Sequence, residues 1–209
     1  MSIPKHDRAT PDKRRRLTRA DRFRQLLDVA WKLVGDQGSD ALTLGRLAEQ
    51  AGVTKPVVYD HFASRAALFA ALYTDFDQRQ ALRMDAAMMA SDATLEGVAS
   101  VVASSYVDCV LLQGQEIAGV IAALSSTSEL EQLKREYEAT FLAKCRAWFS
   151  PFLISGELGA PGLHAIIGCA ESLSAAAARE EVSAQDAKDE LLAVIVAVVR
   201  KAGQGTAGS

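Results

Sequence analysis

The stretch TLGRLAEQAGVTKPVVYDHF, residues 43–62, constrains this chain more than any other part of it. Thr43 opens it, and Leu44, Leu47 and Ala48 recur at helical spacing until Gly52, where a residue without a Cβ takes a tight turn. Thr54 opens a second short helix to about Asp60. Its hydroxyl is expected to accept an orphan backbone N–H, and Pro56 falls in the first turn, where a missing donor costs nothing. Val53 and Val58 stand where a hydrophobic staple forms; Val57 and Val58 would suit a strand, but the run is too short. Leu44, Leu47, Ala48, Val53 and Val58 thus make the seam of a helix-turn-helix, with Ala51 and Gly52 allowing a close crossing. Such a unit offers the leading end of its second helix, and a B-DNA major groove about 8 Å deep admits a helix.

The remainder also reads as helix. Thr18 caps a segment in which Phe23, Leu26, Leu27, Ala30, Trp31 and Val34 share one face, ended by Gly35 and Gly38. Ser64 caps a long helix carrying Leu68, Phe69, Leu72, Tyr73 and Phe76 to about Met89. Helical patterns follow at about 93–111, 115–124, 128–149, 161–179 and 184–201. Their breaks are expected at Ser91-Asp92, Gly114, Thr127-Ser128, Ser155-Gly156 and Val182-Ser183. No stretch alternates with period two. The expected fold is all-α with about nine helices: an arm at 1–16, a three-helix helix-turn-helix domain at 17–63, a larger helical domain at 64–203 begun by a linking helix, and a tail at 204–209.

A chain that is 49% hydrophobic and 23% charged can build a core and is not disordered throughout. Its densest apolar run, Leu191–Val199, has nine residues against the ~18–20 of a membrane span, so no membrane partner is expected. Charge is uneven: residues 1–65 hold 13 Lys/Arg against 8 Asp/Glu, and the rest hold 10 against 18. A basic front end on an acidic protein suits either a polyanion or a solubilising tail. Cys109, Cys145 and Cys169 are dispersed without a CxxC pair, and no signal-peptide h-region opens the chain, so reduced thiols and a cytoplasmic location are expected. Three scattered histidines and the absence of HExxH, GxSxG, P-loop and GxGxxG patterns give an enzyme no support; no catalytic residue, metal or cofactor is expected.

Thr43, Leu47, Ala48, Ala51, Gly52, Val53, Thr54, Val58, Tyr59, His61, Phe62, Ser64 and Leu68 match, position by position, the N-terminal consensus of one family. Over residues 17–73 the chain resembles the tetracycline-repressor (TetR) family of bacterial one-component regulators. Three positions differ from it. Gly45 replaces a polar or basic residue at a cost of about 1 kcal/mol relative to Ala, with Arg46 able to substitute from the next position. Pro56 replaces a small residue, and Arg65 stands for the usual lysine.

The resemblance implies duplex DNA as partner and DNA-contacting roles for Thr43, Arg46, Thr54, Lys55, Pro56, Val57, Tyr59, His61, Ser64 and Arg65, with Arg14, Arg15 and Arg16 as arm contacts. Lys55 can reach a guanine edge or a phosphate, Pro56 and Val57 a thymine methyl, and Tyr59 a phosphate or the seam. His61 reads as a phosphate contact or a surface histidine; Phe62 reads as core. Ser64 and Arg65 would form a backbone clamp.

The resemblance also implies a repressor released by a small apolar molecule and bound to a near-palindromic operator as a homodimer. An activator or a ligand-independent DNA binder of the same fold is the alternative. Candidate cavity residues are Tyr106, Cys109, Gln113, Tyr137, Phe141, Cys145 and Trp148, a set that ordinary core packing explains as well. The last two helices are apolar on more than one face, so either the same chain or a second copy must cover them. Ile166, Ile167, Ala170, Leu173, Ala177, Leu192, Ile195 and Val199 are the expected dimer contacts.

Overall fold

The computed structural model describes residues 17–116, 118–125, 128–153 and 157–204. The arm residues Arg14, Arg15 and Arg16, the breaks expected at Thr127 and at Ser155-Gly156, and the tail from residue 205 onward lie outside them.

Nine α-helices and no strand occur among the described residues. Helix α1 (Arg19–Gln37) starts where the Asp21 backbone N–H donates to Thr18 Oγ1 at 3.1 Å. It ends at Gly38, whose φ of +78° excludes most side chains. A 3₁₀ turn (Ser39–Ala41) leads to α2 (Leu44–Ala51), capped by Thr43 Oγ1, which accepts from the Arg46 N–H at 3.1 Å. Gly52 closes α2 in the left-handed region at φ +64°, and α3 (Lys55–Tyr59) follows. Helix α4 (Arg65–Ala90) begins at Ser64, whose hydroxyl accepts from the Ala67 N–H.

Next come α5 (Leu95–Glu116), α6 (Ala118–Leu124), α7 (Ser128–Phe149), a second 3₁₀ turn (Ser150–Phe152), α8 (Ala160–Ala178) and α9 (Ala184–Gly203). The break expected at Gly114 is absent; α5 continues through it to Glu116, because a single glycine costs a helix only about 1 kcal/mol. Leu95–Gly114 is also long and apolar enough, at a mean hydropathy of 1.5, to cross a membrane by length and composition, which a search for unbroken apolar runs overlooks. Here α4, α8 and α9 pack against it instead.

Two apolar clusters hold these helices. The first joins α1 to α3 and extends beyond residue 63: it takes Leu68, Phe69, Leu72, Tyr73 and Phe76 from α4, and Val120 and Leu124 from α6. Phe62 sits within it, 1% exposed. The second is built on α5, α8 and α9 with Met84, Cys145, Phe149 and Leu158. Helix α4 therefore has its first half in one core and Met84 in the other.

Asp75 fixes α4 to α1. Buried to 5% exposure, its carboxylate accepts from Arg24 Nη1 at 2.5 Å and from Trp31 Nε1 at 2.7 Å, and it pairs with Arg79 at 3.3 Å. A buried carboxylate with three donors is well satisfied. A second link lies between α6 and the 3₁₀ turn, where a Cβ at Gly119 would fall 2.2 Å from Ser39 Oγ and 2.9 Å from Ser39 Cβ.

Candidate functional site

Helix α3 buries one side chain, Val58, in the seam with Leu44, Leu47 and Ala48. Its opposite side stands out from the molecule: Thr54, Lys55, Pro56 and Tyr59 are exposed, Tyr59 by 55%, and Val57 is half-buried. Tyr59 thus does not pack on the seam. Thr54 takes the extended conformation of an N-cap, but its hydroxyl makes no cap hydrogen bond, contrary to expectation; Pro56 and the turn geometry already set the helix start. Gly45 lies beside the Lys55 stem, with Lys55 Cε 3.7 Å from where a Cβ would be.

The flanking residues divide into two groups. Thr43 and Ser64 cap α2 and α4 and remain exposed, as does Arg46, whose Nη2 donates to Gln37 Oε1 at 2.5 Å. Arg65 is occupied elsewhere. Its Nε donates to the Leu42 carbonyl at 2.8 Å, its Nη2 donates to the Ser39 carbonyl at 2.9 Å, and its guanidinium lies 4.6 Å from the Phe69 ring centre. Arg65 thus satisfies the carbonyls of the 3₁₀ turn that leads into α2 while its side chain stays 43% exposed.

His61 forms one wall of a cleft of about 410 Å³ with Leu17, Thr18, Arg19, Arg22, Val57 and Asp60. Its ring lies 6.0 Å from that of Phe23 and 6.3 Å from that of Phe62. Burial, then the positive charge of Arg19, holds its pKa below the usual histidine range, with Asp60 opposing and Arg22 assisting. It therefore offers a neutral N–H donor at neutral pH. Arg19 and Arg22, absent from the site expected from sequence, are brought here by α1; their spacing of three on one helix face is the signal that marks them.

A second site lies among α4, α5, α7 and α8: a cavity of about 360 Å³. Tyr106, Cys109, Gln113, Tyr137 and Phe141 line it, with Tyr73, Asp77, Gln80, Lys144 and Glu171 among others. Cys145 and Trp148 do not. Cys145 is fully buried in the second core, and Trp148 packs against that core with the Lys144 ammonium 5.7 Å from its ring centre. The Phe141–Cys145–Trp148 stripe thus turns from cavity to core along α7. Burial pushes the Cys109 and Cys145 thiols up to about 12, which leaves them protonated and unreactive.

The expected dimer contacts also need correction. Ile166, Ile167, Ala170, Ala177, Ile195 and Val199 are buried within the single chain, where α8 and α9 pack on α5 and on each other. Leu173 and Leu192 are half-buried at the edge of that core. The faces that point away from α5 carry Ala165, Gly168 and Ser172 on α8 and Ala193 and Ala197 on α9. A Cβ at Gly168 would meet nothing within 4 Å.

With this geometry established, residues 26–72 match the family model of bacterial regulatory proteins of the tetR family. Over this segment the chain is similar to the TetR family. It is 42% identical over 57 residues to the transcriptional activator FasR of Mycolicibacterium smegmatis, a match spanning 27% of this chain and 26% of that relative. The shared sequence thus covers about a quarter of the relative's length. The fold extends further. A TetR-family regulator structure from Rhodococcus sp. superposes with a TM-score of 0.65 at 19% identity, over 86% of this chain and 99% of that one. Bacillus subtilis FadR in complex with stearoyl-CoA gives 0.58 at 17% identity, over 84% and 98%. At these identities the likeness is one of fold.

Proposed function

We propose that this chain is a TetR-family transcriptional regulator that binds duplex DNA through α3 as a homodimer and responds to a small molecule held between α4, α5, α7 and α8. The observation that carries the reading is the exposure of Lys55, Pro56 and Tyr59 on a helix anchored from behind by Val58. In the groove, Lys55 takes a base edge or a phosphate, while Pro56 and Val57 offer apolar surface to a thymine methyl. Thr43, Arg46, Thr54, Tyr59, Ser64 and the His61–Arg19–Arg22 cleft contact backbone phosphates on either side.

Two copies meet through the outward faces of α8 and α9, where small side chains allow close helix approach. Their α3 helices then read successive major-groove faces about 34 Å apart on a near-palindrome. A ligand in the cavity releases the operator if it favours an α4 position that spoils this spacing, since only differential affinity shifts a population. We read the protein as a repressor acting by promoter occlusion. Activation is the second reading, supported by the activator name of the Mycolicibacterium relative.

The test is selection of bound duplexes from a random pool, repeated with K55A and Y59F. A palindromic consensus that K55A blurs at one position supports base reading by Lys55; uniform weakening assigns it to a phosphate. Failure to enrich any sequence with the unaltered protein overturns the DNA-binding role.

A further inference from the structure

The cavity carries a charge pattern that narrows what can occupy it. Asp77 projects from α4 into it, and among the described residues neither a hydrogen bond nor an ion pair engages its carboxylate. Burial pushes this acid up to about 6, against a weaker opposing pull from Lys144. Lys144 is committed elsewhere, since its ammonium donates to both oxygens of Asp85, at 2.6 and 2.7 Å. The other lining ammonium, Lys134, lies 3.8 Å from Glu131. Glu138 and Glu171 line the same space, so the charge left without a partner is negative.

Two more features point to a guest. Gln80, one turn beyond Asp77 on α4, accepts from Arg83 at 3.4 Å through its amide oxygen, which turns its amide nitrogen away, sealed from solvent and without a partner. Rings also flank the space in pairs: Tyr73 with Tyr137 at 5.8 Å and Tyr106 with Phe141 at 5.3 Å between centres. Aromatic faces attract cations, most strongly where water is excluded. A neutral apolar guest would leave the Asp77 carboxylate desolvated and unpaired, and an anion would face three carboxylates.

We propose that the cavity takes a lipophilic aromatic cation, its positive charge facing Asp77 and its rings set among Tyr73, Tyr106, Tyr137 and Phe141. The inference rests on reading this cavity as the effector site, and it replaces the simple apolar effector with a charged one. Asp77 and Asp75 lie on the same stretch of α4, so a cation drawn to the first acts on the helix that the second ties to α1.

Tetraphenylphosphonium and tetraphenylborate share a shape and differ in the sign of their charge, so they separate charge from fit. Calorimetric titration of the full-length, DNA-free protein with each is the test, using the unaltered chain, Asp77→Asn, and Glu157→Gln as an exposed acid remote from the cavity. The expected result is binding of the phosphonium at least ten-fold tighter than the borate. Asp77→Asn should lose at least ten-fold of that affinity with its melting temperature unchanged or raised, and Glu157→Gln should lose none. Equal binding of the two probes, preference for the borate, no binding of either, or equal losses in both variants would overturn the proposal. A second variant, Phe141→Ala, should weaken both probes without removing the preference for the cation. Duplex binding is measured separately: its absence beside intact phosphonium binding would remove the regulatory role and leave the cation site standing.

Discussion

Lys55 and Arg65 are both basic residues beside the helix-turn-helix, and they should respond oppositely to truncation. Lys55 is exposed, so K55A should leave stability within about 0.5 kcal/mol of the unaltered protein. Arg65 bonds two carbonyls and covers Phe69, so R65A should lower stability by about 1–3 kcal/mol in urea unfolding. Equal costs would contradict the separate roles. Asp77 gives a pH-dependent counterpart. An ordinary aspartate near 3.8 loses its proton in the unfolded chain before the folded one does near 6. The folded state binds more protons across that window, so this group's contribution to stability is complete below about pH 4 and is lost as pH rises through 6. The difference in melting temperature between D77N and the unaltered chain should therefore grow in favour of D77N over that range. A constant difference would contradict the shifted acid. Neither residue was legible in the sequence. An arginine at a family lysine position reads as a phosphate contact, and an aspartate in a long helix reads as a solvated charge, until the 3₁₀ carbonyls and the cavity are seen.

Among the elements, α1 to α4 were the most legible, because each carries its own punctuation. Thr18, Thr43 and Ser64 are capping residues whose hydroxyls accept the expected backbone N–H, and Gly38 and Gly52 both take positive φ. Helix α5 was less so, since Gly114 alone has no power to end a helix held by packing on three sides. The contact of α6 with the 3₁₀ turn was invisible, as it joins residues far apart in sequence. It carries its own prediction. Gly119→Ala should force α6 off Ser39, lower the melting temperature and expose the turn to hydrogen exchange, and Ser39→Gly should restore much of the loss in the double variant, because it removes the two atoms that a Cβ would meet. Additive losses would contradict a direct contact.

For the whole molecule, periodicity showed that α8 and α9 are apolar on several sides but not which neighbour covers each side. The structure assigns Ile195 and Val199 to the chain's own interior, and the proposed dimer surface moves to the small residues on the outward faces. Gly168→Arg together with Ala197→Arg should give a monomer by light scattering with helical circular dichroism intact, and it should bind half an operator far better than the whole one relative to the unaltered protein. A persistent dimer would place the interface elsewhere.

The most direct test of the account is equilibrium binding of the selected duplex and of a scrambled duplex at several salt concentrations, with the unaltered chain and with the K55A/Y59F double variant. The account predicts preferential binding of the selected duplex, an affinity that falls linearly with salt on logarithmic axes, and loss of the preference in a double variant that is still folded. Undiminished preference in that variant would contradict recognition through α3.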